Sequence, residues 1–513
     1  MFVLSPDKMK NYDKFTIENF GLEGIVLMEN AGKKAAEIIE TNLIKEDNSI
    51  AVVCGTGNNA GDGFVVARWL FNHGYDVCCF VIGNEEKFSP SAKKNYGILD
   101  KLSCEIVFIS NDDAVEYFAN ELPYFDVIAD AMFGIGLKGK IKGYRKKIIE
   151  LINKHIGIKV AIDIPSGVNA ETGEVANVAV NSDFTLTMAA LKYGHLLFPG
   201  REYSGKVYVI DIGISPLTYA ENPPEAEVLE EIESFFPSRK SNSDKTDYGK
   251  IAIIAGSAGL TGAAIMASKS ALEIGSGLIK LIHPRSLSPI FENSLIEIMS
   301  KTVNETDSQT ISFDALDEIL EFTKNSNAIA IGPGISRNES TARFVREFLK
   351  QNTKLTVIDA DGINAFQDHL EELKYLNGKP YIFTPHIREF SRLIDLPVEK
   401  IETNLLEHTR KFAKKYNVII LLKGATSVIC NNKETTFNVV GNPGLSTGGN
   451  GDVLTGIIVS LLGQGFSEYD AARVGSFILG KTADILLKDF GERSLTPTKI
   501  IKNLYKSMQF GVH

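Results

Sequence analysis

Short apolar runs alternate with amphipathic segments along most of the chain. In its first half, helical patterns at residues 27–43 and 64–72 flank the first apolar run, which is followed by glycine. The apolar runs, predicted to be strands, cover residues 50–54, 77–82, 106–109, 127–131, 160–164, 185–188 and 207–210. Strands that are apolar on both faces and separated by helices are typical of a parallel sheet covered on both sides. This half is therefore predicted to be a doubly wound α/β domain.

A second α/β series occupies the rest of the chain. Its helical patterns include residues 263–274 and 453–462. Its predicted strands cover residues 250–255, 278–282, 328–331, 355–358, 381–383 and 418–422. The runs 427–430 and 436–440 are joined by polar residues and predict a hairpin. The second half is therefore predicted to contain a larger, mixed sheet.

The periodicity fades between residues 215 and 247, where Pro216, Pro223, Pro224 and Pro237 lie among scattered charges. This composition predicts a linker near 218–240. A chain of 513 residues is also too long for a single core. We therefore predict two domains, 1–217 and 225–513.

The composition narrows the class of protein. A formal net charge of −10 argues against a nucleic-acid surface, which needs a basic field over the contact area. The five cysteines lie mostly in apolar runs, which favours buried thiols in a reducing compartment over a disulfide framework. No apolar run has the length of a membrane span, and the first residues lack the apolar core of a signal peptide. A cytoplasmic protein is expected.

A glycine-rich stretch at residues 441–456 leads into the predicted helix at 453–462, with five glycines before Asp452. Glycines let backbone N–H groups approach a ligand, and the first helical turn offers unpaired donors and the positive end of the dipole. These donors are expected to bind phosphate. They are also expected to hold Asp452 as a carboxylate that can take a proton from a neighbouring hydroxyl. The alternative is a glycine-rich turn in which Asp452 is an ordinary N-cap.

Three predicted strands of the first half end in polar, glycine-containing loops, at residues 54–63, 130–139 and 163–169. In a doubly wound sheet the carboxyl ends of the strands face one crevice. The amide, carboxylate and hydroxyl oxygens of these loops suit a hard cation and a polar substrate. Each loop also has a purely structural interpretation. Asn59 and Asp62 could cap a helix, and Asp130 and Ser166 could form turns.

Polar or glycine-containing loops also follow strands of the second half, at residues 256–264, 332–334, 359–364, 384–386 and 423–427. Taken singly, His386 is interpreted as a partly buried structural histidine, Lys423 as a solvated edge residue, and Asp359 with Asp361 as a turn and a cap. Phosphoryl transfer needs a nucleotide pocket, positive charge near the phosphates, metal ligands and a base. Together with Asp452, these loops offer each of these parts.

Four motifs of the first half resemble one family. They are LMENAG at 27–32, GTGNNAGDG at 55–63, DAMFGIG at 130–136 and DIPSGVNAETG at 163–173. In this order and spacing they resemble the NAD(P)H-hydrate epimerase family over residues 1–215. The resemblance implies a Rossmann-like fold that interconverts the R and S epimers of the hydrated nicotinamide cofactor.

The resemblance also implies roles for single residues. Asp163 corresponds to the acid/base at the epimerised carbon. The implied potassium ligands are Asn59, Asp130 and Ser166. The implied substrate-binding residues are Asn58, Asn59, Ala60, Gly61, Asp62, Gly134, Ile135, Gly136, Leu137, Lys138, Gly139, Lys140 and Asp163. Ala60 departs from the family, where glycine is commoner, which puts the local backbone angle in question.

The second half resembles the ribokinase-like superfamily and, more closely, the ADP- or ATP-dependent NAD(P)H-hydrate dehydratases, over residues 240–510. The motifs are those at 256–264, GPG at 332–334, DADGIN at 359–364, TPH at 384–386, KGATS at 423–427 and GGNGDVLTG at 448–456. The resemblance implies that the terminal phosphoryl group of ADP, with Mg²⁺, is transferred to the hydroxyl of the hydrate. Phosphate then leaves and NAD(P)H is regenerated.

The same resemblance assigns residues to this reaction, with Asp452 as the implied base. The implied hydrate contacts are Ala263, Gly334, His386 and Asp452. The implied nucleotide contacts are Lys423, Gly424, Ala425, Thr426, Ser427 and Gly451.

Three hypotheses follow from the sequence. The leading one is a bifunctional repair enzyme that epimerises NAD(P)H hydrates in its first domain and dehydrates the S form in its second, with AMP and phosphate as products. The second is a ribokinase-type small-molecule kinase, which the glycine stretch and Asp452 fit equally well. The third makes the first domain a non-catalytic binding module. No nucleic-acid or membrane partner is expected, and a homo-oligomer is a reasonable expectation.

Overall fold

The computed structural model describes residues 1–45, 47–137 and 139–510. The chain forms two compact units, one at Met1–Ala226 and one from Glu227 onwards. The domain limits 1–217 and 225–513 stay predictions. The predicted linker at 218–240 contains the end of a helix and a short strand, so it is not a featureless connection.

The first unit contains a seven-stranded sheet whose strands all run parallel, in the order β4-β3-β2-β5-β6-β7-β9. A further pair, β1 and β8, is also parallel. The strands are β1 (Phe2–Leu4), β2 (Ser49–Cys54), β3 (Asp76–Ile82), β4 (Glu105–Ile109), β5 (Val127–Ala131), β6 (Ile158–Ile162), β7 (Phe184–Met188), β8 (Leu191–Lys192) and β9 (Lys206–Ile210).

The order of this sheet reverses between β2 and β5, because β3 and β4 continue on one side of β2 and β6, β7 and β9 on the other. Ligands of doubly wound folds bind at such a reversal, outside the carboxyl ends of the strands. A ligand-binding site is therefore expected at the loops that follow β2 and β5.

Helices cover this sheet, and its central strands are fully buried, as their apolar sequences predict. The helices are α1 (Pro6–Phe20), α2 (Gly24–Asn42), α3 (Asn58–Asn72), α4 (Pro90–Lys101), α5 (Asp112–Glu121), α6 (Tyr144–Lys154), α7 (Gly200–Tyr203) and α8 (Pro216–Glu221). The limits of α1 follow from local chemistry. Ser5 accepts the N–H of Lys8, Pro6 occupies the first turn, and Gly21 ends the helix in the left-handed conformation.

A short strand, β10 (Ala226–Val228), lies where the chain passes from the first unit to the second. The second unit has the strand order β13-β12-β11-β14-β15-β16-β17-β18-β19. Its strands are β11 (Lys250–Ile254), β12 (Leu278–Pro284), β13 (Met299–Val303), β14 (Ala328–Ile331), β15 (Leu355–Ile358), β16 (Tyr381–Phe383), β17 (Ile419–Leu422), β18 (Ser427–Cys430) and β19 (Thr435–Asn438).

This second sheet is mixed, as predicted. Strands β11 to β17 pair in parallel, whereas β17, β18 and β19 pair antiparallel and include the predicted hairpin. The order reverses between β11 and β14, which again marks the loops after these strands as a ligand position. Two α/β units with predominantly parallel sheets confirm the predicted fold class.

The helices of the second unit are α9 (Thr261–Glu273), α10 (Ser288–Ser294), α11 (Leu316–Thr323), α12 (Glu339–Gln351), α13 (Asp361–Asn364), α14 (Ile387–Ile394), α15 (Val398–Thr403), α16 (Leu405–Tyr416), α17 (Asn450–Gly463), α18 (Glu468–Phe490) and α19 (Pro497–Ile501). Helix α17 is buried along most of its length and packs closely on α9. No helix of the described residues is long and apolar enough to cross a membrane.

Many predicted elements differ from the structure by one to six residues at their limits, and two of the differences have a clear physical cause. Helix α3 begins at Asn58, six residues before its predicted start, so Gly61 and Gly63 belong to the helix and not to a loop. A Cβ atom at Gly63 would lie 2.6 Å from the Ala131 Cβ, so glycine here allows close packing of helix on sheet. Strand β6 ends at Ile162, before the predicted residue 164, because Asp163 has a φ of 68°.

Strand β13 was not predicted. It lies at an edge of the second sheet, where exposed and partly buried residues alternate, so it has no continuous apolar run. The five cysteines are free and buried, as the sequence predicts.

The contact between α9 and α17 predicts the effect of an added methyl group. A Cβ at Gly456 would lie 2.0 Å from the Ser270 Oγ and 2.1 Å from the Ala267 carbonyl oxygen. Gly456→Ala is therefore expected to cost about 1–3 kcal/mol or more. Gly262 on α9 has open space around it, so Gly262→Ala is expected to be neutral or stabilising by up to about 1 kcal/mol. Hydrogen exchange of α9 and α17 measures both, and equal protection in the two variants would contradict the packing argument.

Candidate active sites

A cavity of about 740 Å³ opens at the β2/β5 reversal of the first unit. Helix α1, helix α2 and the loops after β2, β5 and β6 all contribute to its lining. Eight of the residues predicted to bind substrate line this cavity: Asn58, Asn59, Asp62, Gly134, Ile135, Gly136, Leu137 and Asp163. The structure therefore brings most of the predicted set together, although their roles stay predictions.

The other predicted substrate residues lie elsewhere. Ala60 and Gly61 are buried inside α3, and Ala60 has an ordinary helical conformation, so alanine fits there without backbone strain. Gly139 and Lys140 are exposed and do not line the cavity. Lys138 lies outside the described residues.

Asp163 is the most strongly held carboxylate of this cavity. Its Oδ1 accepts hydrogen bonds from the Lys192 Nζ at 2.6 Å, the Thr187 Oγ1 at 3.2 Å and the Met188 N–H at 3.2 Å. Burial alone would raise the pKa of Asp163, but the charge and hydrogen bond of Lys192 outweigh it and lower the pKa below its usual value. Asp163 therefore stays ionised.

Lys192 was not singled out from the sequence. Its side chain is fully buried, and its Nζ donates to Asp163, to the Thr187 Oγ1 at 2.8 Å and to the Met188 carbonyl oxygen at 2.9 Å. The only sequence signal is a lysine four residues after the end of β7, separated from that strand by a short turn. A sequence cannot show that the next short strand, β8, turns this lysine toward a carboxylate 29 positions earlier.

Two of the three predicted cation ligands, Asp130 and Ser166, contact each other, and the third, Asn59, lines the cavity. The Asp130 Oδ1 accepts the Ser166 hydroxyl at 2.7 Å, and its Oδ2 accepts the Ser166 N–H at 2.8 Å. Burial raises the pKa of Asp130 to about 6 despite these hydrogen bonds. Asn59 is also buried, and both polar atoms of its amide have no hydrogen-bond partner among the described residues. A carboxylate, a hydroxyl and an unpaired amide oxygen are a donor set that fits K⁺.

In the second unit, the glycine loops after β11 and β14 contact each other at the sheet reversal. The Ser257 hydroxyl donates to the Gly334 carbonyl oxygen at 2.8 Å. Gly334 has a φ of 62°, and a Cβ there would lie 3.0 Å from the Ala263 Cβ. The predicted hydrate contacts Ala263 and Gly334 are therefore neighbours.

Lys423 is held by a buried carboxylate and is not a solvated edge residue. Its Nζ donates to the Asp359 Oδ1 at 2.7 Å, and the Thr455 hydroxyl donates to the Asp359 Oδ2 at 2.8 Å. Burial alone would lower the pKa of Lys423, but Asp359 and neighbouring carboxylates raise it. A Cβ at Gly451 would lie 3.3 Å from the Lys423 Nζ, so the glycine leaves the ammonium group accessible at the start of α17.

Asp452 lies in the first turn of α17, whose N-cap is Gly449 with a φ of 103°. Asp452 is therefore not the N-cap. The prediction that helix donors hold it as a carboxylate needs correction, because its pKa is raised to about 7. The causes are burial first and then the negative charge of Asp359, which Lys423 only partly offsets. A carboxyl group with this pKa can both accept and release a proton near neutral pH.

His386 has a structural role that is visible in the contacts. As the N-cap of α14, its Nδ1 accepts the N–H groups of Arg388 and Glu389, and Glu389 accepts the His386 N–H. About half of its side chain is exposed, and burial lowers its pKa. Its predicted contact with substrate stays a prediction.

The predicted nucleotide residues form a turn between two strands. Gly424, Ala425 and Thr426 connect β17 to β18, which begins at Ser427. The Lys423 N–H donates to the Pro385 carbonyl oxygen at 2.8 Å, which sets this turn beside His386. Residues 384–386 and 423–427 therefore lie side by side at one edge of the sheet, with Lys423 close to Gly451 at the start of α17.

Comparisons with known proteins agree with this division. The family described as "YjeF-related protein N-terminus" matches residues 24–194, and the family described as "NAD(P)H-hydrate dehydratase" matches residues 251–506. The chain is 34% identical over 510 residues to the bifunctional NAD(P)H-hydrate repair enzyme of Thermofilum pendens, covering 99% of this chain and 96% of that protein. It is 35% identical to the enzyme of the same name from Moorella thermoacetica, covering 96% of this chain and 94% of that one.

Among solved structures, the chain is similar to an ADP/ATP-dependent NAD(P)H-hydrate dehydratase from Bacillus subtilis co-crystallised with ATP and Mg²⁺. The sequence identity is 26% and the TM-score is 0.45, with coverage of 53% of this chain and 93% of that one. A ribokinase-like superfamily protein from Enterococcus faecalis V583 is also 26% identical, with a TM-score of 0.48 and coverage of 55% and 95%.

The buried ion pair of the first unit predicts a large effect of Lys192→Met. The variant leaves a buried carboxylate without its cation, which is expected to cost about 3–5 kcal/mol of unfolding free energy at pH 7. In the native protein the lowered pKa of Asp163 gives stability that is present above the unfolded-state pKa and lost as the pH falls through the folded-state pKa. The variant should lack this acid-sensitive contribution in urea unfolding measured against pH.

The matched control is Lys147→Met, because Lys147 and Asp112 form an exposed pair at 2.9 Å. Its expected cost is about 0–1 kcal/mol. Equal losses of unfolding free energy in the two variants would show that the buried Lys192–Asp163 pair stabilises the protein no more than an exposed pair does.

Proposed function

The chain belongs to the family of bifunctional NAD(P)H-hydrate repair enzymes, and we propose that it divides the repair between its two units. The first unit interconverts the R and S hydrates at Asp163. The second dehydrates the S hydrate at Asp452, using ADP and releasing AMP and phosphate. The observation that carries the proposal is a pair of carboxyl groups, one per unit. Asp163 lines the cavity of the first unit, Asp452 lies at the start of α17 near Asp359 and Lys423, and both have a perturbed pKa.

In the first unit, Asp163 serves as the acid/base at the epimerised carbon. It lines the cavity, and Lys192 keeps it ionised and fixes its orientation. Residues of the loops after β2 and β5 surround the substrate in the same cavity. A carboxylate fixed within reach of the reacting carbon can accept a proton in one direction and return it in the other.

We propose that K⁺ is held by Asn59, Asp130 and Ser166. The support is the unpaired amide of Asn59 together with the raised pKa of Asp130. A cation would give the Asn59 oxygen a partner and would stabilise the ionised form of Asp130. Asp130 lies among the last two residues of β5, whereas Asn59 and Ser166 follow β2 and β6. The ion would supply positive charge that joins the three loops beside the substrate cavity.

In the second unit, the first turn of α17 and the glycines before it receive the nucleotide phosphates through backbone N–H groups and the helix dipole. Lys423 and the turn 424–427 contact the nucleotide from β17 and β18. Ala263, Gly334 and His386 contact the hydrate. Positive charge and preorganised donors at this point are what phosphoryl transfer requires.

Asp452 takes the proton of the hydrate's hydroxyl while the oxygen attacks the terminal phosphorus of ADP, and AMP leaves. The carbon–oxygen bond then breaks, phosphate leaves, and loss of a ring proton restores the double bond of NAD(P)H. Mg²⁺ accompanies the phosphates. The ion would supply positive charge at the phosphates, and because the oxygens of Asp359 already accept from Lys423 and Thr455, Asp359 would not be among its ligands.

The alternative is a kinase that releases a stable phosphoester, because the glycine loop and Asp452 suit that reaction as well. Its product distinguishes it, since a kinase gives phosphoester and the repair enzyme gives free phosphate.

We further propose a reducing compartment such as the cytoplasm, supported by five free buried thiols. Assembly into a homo-oligomer stays a prediction.

A mixture of R and S hydrates with ADP and Mg²⁺ tests the division of labour. The native protein should convert both epimers to NAD(P)H. Asp163→Asn should consume the S form only, and Asp452→Asn should form no NAD(P)H while still interconverting the epimers. Removal of an acid/base group is expected to lower the affected rate by about 10²–10⁴-fold.

The matched controls are Asp112→Asn and Asp489→Asn, which change exposed carboxylates of the first and second unit. Both should behave as the native protein. Full epimerisation by Asp163→Asn, or NAD(P)H formation at the native rate by Asp452→Asn, would overturn the corresponding site.

The raised pKa of Asp452 predicts the pH dependence of dehydration. A base must be unprotonated, so kcat/KM should rise with pH and level off above about 7. The measurement is the initial rate of NAD(P)H formation from S hydrate between pH 5 and 9. On the acid side, kcat/KM should change on the order of tenfold per pH unit. A profile that is flat through pH 7 in the native protein would argue against Asp452 as the base.

A further inference from the structure

A second carboxyl group faces the cavity of the first unit from helix α1. Met9, Asp13 and Ile17 recur at intervals of four residues on this helix, and all three line the cavity. The Asp13 Oδ1 is buried and has no hydrogen-bond partner among the described residues. A buried carboxyl oxygen without a protein partner, at the wall of a substrate cavity, is positioned to meet a group of the substrate.

Burial favours the protonated form of Asp13. The other charged residues that line the cavity are Lys10, Asp62, Arg145, Asp163 and Lys192. Burial raises the pKa of Asp13 to about 6, Lys192 opposes this, and Asp163 adds to it. The same cavity thus contains one carboxyl group with a lowered pKa, Asp163, and two with raised pKa values, Asp13 and Asp62. Two carboxyl groups whose pKa values are pushed apart have the properties of a base and an acid.

We propose that Asp13 is the proton donor that acts together with Asp163 in epimerisation. The proposal rests on the proposed function of the first unit and adds a second catalytic residue to it. Asp62 is less suited to be the donor. It lies on α3 among the residues predicted to bind substrate, and it has no buried, unpaired oxygen like the Asp13 Oδ1.

The chemistry of the hydrate requires such a donor. Water adds to an enamine double bond at the carbon next to nitrogen, so the hydroxyl-bearing carbon of the hydrate adjoins the ring nitrogen. Asp13 gives its proton to the hydroxyl oxygen, the carbon–oxygen bond breaks, water leaves, and the nitrogen lone pair forms a C=N bond. A second water adds to the opposite face, its proton passes to Asp163, and the lone pair returns to nitrogen. One water leaves and one enters, and solvent restores the two carboxyl groups.

Replacement of Asp13 separates this role from a structural one. Asparagine has the same shape and no charge, so Asp13→Asn removes only the cost of a buried charge, and folding stability should stay unchanged or rise. Epimerisation of pure R hydrate without ADP should nevertheless lose about 10²–10⁴-fold in kcat, with KM changed far less. Asp7→Asn on the same helix is the matched control, because Asp7 is exposed, and it should keep native activity.

Two further measurements on the full chain are specific to proton donation. In the native protein kcat/KM for epimerisation should fall above pH about 6, where Asp13 loses its proton, and this decline should be absent in the residual activity of Asp13→Asn. Asp13→Glu, which keeps the acid, should recover at least tenfold over Asp13→Asn. In ¹⁸O-labelled water, each S hydrate molecule should already contain the label in its hydroxyl group when it forms.

Native kcat and pH dependence in Asp13→Asn, or formation of unlabelled S hydrate, would overturn the proposal. If Asp163→Asn is inactive while Asp13→Asn is fully active, only the role of Asp13 fails. If Asp163→Asn itself retains full epimerisation, the proposed first site fails.

Discussion

A buried ion pair between a lysine and an aspartate at the end of a parallel strand organises each of the two candidate sites. In the first unit Lys192 contacts Asp163 directly after β6, and in the second Lys423 contacts Asp359 directly after β15. Burying two charges costs several kcal/mol per ion unless close geometry and further hydrogen bonds compensate. Both pairs have such support, from the hydroxyls of Thr187 and Thr455 respectively.

The same kind of pair has different consequences in the two units. In the first, Lys192 keeps the proposed acid/base, Asp163, ionised, and the raised pKa values belong to Asp13 and Asp62, which line the same cavity. In the second, Asp359 neutralises much of the charge of Lys423, and its own negative charge helps to raise the pKa of Asp452. The first arrangement suits proton transfer to and from the oxygen on the epimerised carbon, and the second suits a base that acts near neutral pH beside a cation for phosphate.

Much of this could be predicted from the sequence, because buried parallel strands are apolar on both faces and their carboxyl ends gather ligands. The strands β14, β15, β16 and β18 have the predicted limits, and eight predicted substrate residues line one cavity. The start of α3 was wrong because glycine usually signals a loop, whereas Gly61 and Gly63 allow the helix to pack closely. Lys192 and Asp13 were missed, since only the tertiary fold brings β8 and α1 to the strand ends. The pKa of Asp452 was mispredicted because Asp359 lies 93 positions earlier in the chain and its proximity has no local signal.

The central claim is that two separate carboxyl sites act in sequence, with the S hydrate passing between them. The most direct test supplies pure R hydrate, ADP and Mg²⁺ to the Asp163→Asn and Asp452→Asn proteins, first singly and then mixed. Neither variant alone should form NAD(P)H faster than spontaneous epimerisation allows, and the mixture should form it at a rate set by the slower of the two intact sites. Rapid NAD(P)H formation by either variant alone, or none by the mixture, would contradict the account.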